Sequence, residues 1–295
     1  MTLSELLFDQ QFLRKLENMA FLLKKARAGR YSGQHRSPRK GQSVEFADYR
    51  AYVTGDDWRQ VDWHAYARLE RLFIKLFVEE NDLLVHLLVD NSASMAWPSG
   101  QKFRLAKQLA GALGYLALAN MEQAGVVALA EGCGRYLPLQ RGLQAVNRFW
   151  GFLRPLETGG AVNLNRNLRQ AGKFIKGPGL TIIISDLLSP DGYEEGLQYL
   201  QHRGQQVLVI QVLDRSEKEP ELLGNFRLVD CENGEAKEVS VTPLILKAYR
   251  EHLQNFLSGV RGFCLVREIA YLEVDAADAL EDILLRSLRS GGILV

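Results

Sequence analysis

Leu83-Leu84-Val85-His86-Leu87-Leu88-Val89-Asp90-Asn91-Ser92-Ala93-Ser94-Met95 is the stretch on which the reading of this chain turns. Residues 83–89 are nearly all apolar and stop abruptly at polar ones. A short unbroken apolar run with that ending suits a strand buried on both faces, as in a parallel sheet. Asp90, Ser92 and Ser94 then converge from one tight turn at the carboxyl end of the strand, where open α/β sheets place their ligands. One carboxylate and two hydroxyls form an all-oxygen donor set, which suits a hard cation such as Mg2+. The same residues also fit a strand end followed by a helix cap, since Asp and Ser are common N-caps.

Downstream the pattern alternates. Phe103 to Met121 has helical spacing, Gly125 to Ala130 is a short apolar strand, and Arg135 to Leu139 is its expected antiparallel partner across the Gly132-Cys133-Gly134 turn. Helices are expected over Leu143–Leu153 and Leu164–Phe174. Leu180 to Asp186 repeats the logic of the opening stretch, a β-branched run ending in an acid. A helix over Gly192–His202 and a third buried strand, Val207–Leu213, follow. Strands alternating with helices imply an α/β fold with a doubly wound, mainly parallel sheet. Asp90 and Asp186 then end two strands on one edge. Phe226–Val229 and Tyr271–Val274 read as further strands, Pro243 as the first turn of a long helix, and Ala277–Leu288 as a closing helix.

Upstream, residues 1–30 read as an N-terminal helix, 31–78 as a β-rich subdomain packed on the core, and 79–295 as the main domain. Within the second segment, Asp56, Asp57 and Asp62 lie close to Arg50, Arg59 and Arg68. Three acids suggest a second metal site, but the neighbouring arginines favour ion pairing. The run Lys24–Lys40 is basic yet has only Tyr31 as an aromatic, so a solvated helix end and loop is expected rather than a nucleic-acid groove.

The chain has 295 residues and is 47% hydrophobic, enough for a sizeable core. Thirty-six Lys and Arg balance 35 Asp and Glu, which gives no global pull toward nucleic acid or membrane. Cys133, Cys231 and Cys264 are far apart and match no metal or redox spacing, as in a reducing, cytoplasmic setting. Neither a signal-peptide pattern nor a bilayer-length apolar run is present. The phosphate-cradling loop, the Gly-x-Ser-x-Gly elbow and the His-Glu-x-x-His pair are also absent.

The turn Asp90-Asn91-Ser92-Ala93-Ser94 resembles the metal-ion-dependent adhesion site of the von Willebrand factor A domain. That resemblance implies Mg2+ ligation by Asp90, Ser92, Ser94 and Asp186. It also implies a threonine after a Gly-Gly turn. Gly159-Gly160 is present, but Ala161 and Val162 follow, so a weakened or empty site is expected. Thr158 and Asn163 are nearby oxygen donors. A narrower resemblance rests on Gly33-Gln34-His35-Arg36-Ser37, Gly41, Glu45-Phe46, Arg50-Ala51-Tyr52, Gly55-Asp56-Asp57-Trp58-Arg59, Asp62-Trp63 and Ala67-Arg68, in that order before the turn. This set is similar to the bacterial domain-of-unknown-function family fifty-eight, von Willebrand factor A-like proteins associated with MoxR-type AAA+ ATPases. It implies a non-catalytic interaction module acting with such an ATPase and a protein client, in protein maturation or complex assembly. A metal-dependent phosphohydrolase using Asp90 and a scaffold with a vestigial site are the alternatives.

Overall fold

The computed structural model describes residues 12–19, 44–79, 83–130, 134–160, 163–231 and 234–290. They divide between two compact units, one within residues 28–82 and one formed by residues 1–27 and 83–295. The basic run Lys24–Lys40, the Gly33–Ser37 motif, Gly41, Gly132, Cys133, Ala161 and Val162 lie outside the described residues.

In the smaller unit, β1 (Val44–Ala51) pairs antiparallel with β2 (Phe73–Glu79), with a bulge between Phe46 and Asp48. Asp56 accepts hydrogen bonds from the Arg50 guanidinium at 2.8 Å and from the Val53 backbone at 2.9 Å, so this acid is ion-paired as expected. The other two acids are used differently. Asp57 accepts from the Arg59 backbone at 3.0 Å. Asp62 is 5% exposed; it caps the helix Trp63–Leu69 through the His64 and Ala65 amides and accepts from the Tyr49 hydroxyl at 2.7 Å. Helix capping and one ion pair account for all three carboxylates.

The larger unit is mixed α/β with a mainly parallel central sheet. Its strands are β3 (Leu84–Asp90), β4 (Gln123–Leu129), β5 (Tyr136–Arg141), β6 (Gly179–Ser185), β7 (Gln205–Leu213) and, after an exposed hairpin of β8 (Gly224–Val229) and β9 (Ala236–Val241), β10 (Ala270–Asp275). The order is β10-β7-β6-β3-β4-β5, with only β5 antiparallel. The strands at the centre are buried on both faces, and alternation divides them cleanly. Val85, Leu87, Val89, Leu180, Ile182, Ile184, Leu208 and Ile210 enter one core, with the helices Gln101–Ala119 and Val146–Leu153. Leu88, Ile183, Val207 and Val209 enter the other, with Leu164–Ala171, Glu194–His202 and Pro243–Val266. Leu16, from the helical residues 12–19, is fully buried in the first core.

The first core has a tight interlock. A Cβ built on Gly114 would lie 2.2 Å from Cε1 of Phe149, whose side chain is 0% exposed and has no room to retreat. Alanine favours helix over glycine by about 1 kcal/mol. Even so, Gly114→Ala is expected to destabilise by about 1–3 kcal/mol through overpacking. In urea denaturation, Phe149→Leu should suppress part of that loss. Additive losses would show that the two residues do not compete for space.

Candidate functional site

β3 and β6 are parallel neighbours, so Asp90 and Asp186 reach the same edge of the sheet. The register then separates them. Val89 is paired with Ile184, which puts Asp90 level with Ser185 rather than with Asp186. The Ser185 hydroxyl donates to Asp90 Oδ2 at 2.5 Å, and the Ser92 amide donates to Oδ1 at 2.9 Å. Asp90 is 3% exposed, and both its oxygens are engaged within the protein. Burial, reinforced by the charge of Asp186, pushes its carboxyl up to about 6, against the hydrogen bonds from Ser185 and Ser92.

The turn after Asp90 is held by backbone bonds. The Asn91 amide reaches the Leu129 carbonyl at 3.3 Å, the Gly159 amide reaches the Asn91 carbonyl at 3.0 Å, and the Ala93 amide reaches the Gly160 carbonyl at 3.2 Å. The Gly159-Gly160 segment therefore lies against the Asp90–Ser94 turn. Ser92 and Ser94 place their hydroxyls 2.9 Å apart, hydrogen-bonded to each other. Asn163 is turned to another task. It caps the helix Leu164–Ala171 through the Arg166 amide at 2.8 Å and donates to Asp191 at 2.6 Å.

Asp186 belongs to a buried ionic cluster that the sequence reading does not contain. Lys102, the second residue of the helix Gln101–Ala119, is 0% exposed. Its ammonium donates to Asp186 Oδ2 at 2.9 Å and to Glu217 Oε1 at 2.5 Å. Burial opposes the charged lysine, but the two carboxylates outweigh it and hold Lys102 above its ordinary value. Glu217 is raised by its own burial despite Lys102. Its second oxygen accepts from the Asp214 amide at 2.7 Å, in a capping box that starts the helix Arg215–Lys218. The other oxygen of Asp186 accepts from the Leu188 amide at 3.0 Å, and its backbone carbonyl accepts from Gln211 Nε2 at 2.8 Å. The loop that carries Asp186 runs through Leu187 at φ 61°, a left-handed conformation that a branched side chain rarely takes. The Leu187 amide donates to Ser185 Oγ at 2.9 Å, which fixes that loop.

Asp90, Ser92 and Ser94 thus come together in one turn, with Asp186 near enough to act on Asp90 electrostatically. As placed, this set does not fit a resident divalent cation. The Asp186 carboxylate already carries an ammonium, and the two serine hydroxyls satisfy each other. Among the described residues, no group of three or more His, Cys, Asp and Glu is arranged to hold a metal. The residues of this edge missed from sequence are Ser185, Lys102 and Glu217. A lysine in the first turn of a helix reads as a solvated charge, and only the strand register brings Ser185 to Asp90.

No helix among the described residues is long and apolar enough to cross a membrane. The chain is similar to the uncharacterized protein Rv1480 of Mycobacterium tuberculosis and to the uncharacterized protein Mb1516 of Mycobacterium bovis. Each is 25% identical over 264 residues, covering 86% of this chain and 83% of the relative. Among solved structures it is similar to a conserved hypothetical protein, BatB, from Bacteroides thetaiotaomicron, at 14% identity and TM-score 0.42 over 71% of this chain and 99% of that one. It is also similar to the pilus adhesin SpaC from Lactobacillus rhamnosus GG, at 12% identity and TM-score 0.45 over 73% and 31%. The family model described as "Protein of unknown function DUF58" matches residues 48–255, and this chain belongs to that family.

Proposed function

We propose that this chain is a von Willebrand factor A-like, non-catalytic interaction module that works with a MoxR-type AAA+ ATPase and a protein client. The resemblance supplies the partner. The observation that carries the reading is the construction of the strand edge. A turn pinned by three backbone hydrogen bonds presents a rigid surface, flanked by Trp97 at 45% exposure and Leu188 at 39%. A fixed turn with an exposed tryptophan costs little ordering on association, and tryptophan is a frequent binding hot spot. The phosphohydrolase alternative asks Asp90 to attack a phosphate. A carboxylate that is 3% exposed, with hydrogen bonds to both oxygens, is poorly presented for that role.

The test is direct binding of the purified cognate ATPase, read by calorimetry or by the change in its ATPase rate. Trp97→Ala is expected to weaken binding at least about tenfold, the scale of a single hot spot. Equal binding by Trp97→Ala and Leu188→Ala would move the interface away from this edge. No binding at all would remove the partnership, and hydrolysis of a generic phosphate ester lost in Asp90→Asn would install the enzyme reading instead.

A further inference from the structure

We propose that the Lys102 ammonium is the resident cation of this strand edge, a tethered positive charge on Asp186, the acid that an adhesion-like site would otherwise lend to a divalent metal. The edge gathers three acids, Asp90, Asp186 and Glu217, which are 3%, 2% and 8% exposed. Buried carboxylates need a positive partner or a proton. Lys102 provides that partner at 2.9 Å from Asp186 and 2.5 Å from Glu217, on a side chain that is 0% exposed and cannot diffuse away. The ammonium arrives from the helix that directly follows the Asp90–Ser94 turn, so one short segment carries both the adhesion-like residues and the charge that replaces their metal.

Electrostatics at short range makes the two cations alternatives. A divalent ion ligated by Asp186 would sit beside an ammonium that is itself only 2.9 Å from that carboxylate, and like charges at such distances in a buried setting repel strongly. With the lysine charge removed, the edge keeps carboxylates and the Ser92 and Ser94 hydroxyls, an all-oxygen set of the kind Mg2+ and Mn2+ select. Partner recognition at this edge then runs through the turn itself rather than through an open metal position. That last consequence rests on the proposed function; the assignment of the cation does not.

Two measurements on the full chain test the assignment without the ATPase. In the first, the wild-type protein is titrated into Mn2+ while the free-ion electron paramagnetic resonance signal is followed. No loss of signal is expected; a loss that Asp186→Asn abolishes would overturn the proposal. In the second, thermal unfolding is followed in EDTA, Mg2+ and Mn2+ for wild type and for Lys102→Met. The wild-type Tm should be the same in all three. The variant should melt lower in EDTA and rise by about 5 °C or more in saturating Mn2+, the scale expected for a ligand that binds only the folded state. A folded Lys102→Met protein with no response to either ion would overturn the proposal. If that variant does not fold, the wild-type Mn2+ titration decides alone. Because neither measurement involves the partner, loss of the ATPase interaction would leave this result standing, and the reverse also holds.

Discussion

Lys102→Met is expected to lower the stability of this protein by about 3–5 kcal/mol, the usual cost of removing one partner from a buried ion pair. Methionine keeps the length and apolar body of the lysine stem, so little packing is lost. What it leaves is Asp186 and Glu217, both buried, with their common ammonium gone. The position argues the same way. A cation in the first turn of a helix opposes the helix dipole by roughly 0.3–1 kcal/mol, so the lysine is favourable there only through its acids. Neutralising the whole cluster should therefore undo most of the damage. Lys102→Met combined with Asp186→Asn and Glu217→Gln is expected to return to within about 1–2 kcal/mol of wild type, because replacing every member of a buried ionic cluster is often close to neutral. Urea denaturation of the single and triple variants makes the comparison. A triple variant no more stable than the single one would mean that Lys102 acts through packing instead.

The second large effect is a pair of opposing pH dependences on one strand. His86 is 3% exposed, its Nε2 has no hydrogen-bond partner, and burial pulls its pKa down to about 4, against a hydrogen bond to the Lys176 backbone. The folded state therefore refuses a proton that the unfolded chain accepts. The stability this histidine contributes is complete above its ordinary value of 6.5 and is lost as pH falls through about 4. Asp90 has the opposite sign. Its pKa is raised from 3.8 to about 6, so its contribution is complete below 3.8 and is lost as pH rises through about 6. Each amounts to roughly 3 kcal/mol at about 1.4 kcal/mol per pH unit. Over the shared window the two slopes cancel. Relative to wild type, His86→Gln should gain stability as pH falls from 6 to 4, and Asp90→Asn should lose it. Stability curves for both variants running parallel to wild type across that window would refute the pairing.

The sheet was legible because its signal is local. Leu84–Asp90, Gly179–Ser185 and Gln205–Leu213 are apolar runs with polar ends, and burial on both faces writes that pattern into sequence whatever the neighbours are. β9 was not legible. Ala236–Val241 is half polar, and only Val241 at its end is buried, so this largely exposed strand carries too little alternation to read. The helix Trp63–Leu69 was hidden inside a segment that reads as β-rich, its one clear signal being the Asp62 cap. At the site, the Asp90–Ser94 turn and its Gly159-Gly160 neighbour were visible as motif. The relation of Asp90 to Asp186 was not, because a one-residue offset in register decides which side chains meet, and register lies in the pairing of distant strands. Lys102 and Glu217, separated by 115 residues, show nothing in their own surroundings that marks either as buried.

That separation has a kinetic consequence. β3 meets β4 across a single helix, whereas its other neighbour is β6, and the Ser185–Asp90 bond closes 95 residues of chain. Contacts of such length form only after the entropy of closing the intervening chain has been overcome, and they slow folding. On the ribosome, Asp90 emerges well before Ser185, and Lys102 long before Glu217. Until the later strands arrive, the turn lacks the hydroxyl that engages its carboxylate, and the lysine lacks its acids. The edge is thus assembled last from residues made early, and a chain that presents it intact has already completed the centre of its sheet.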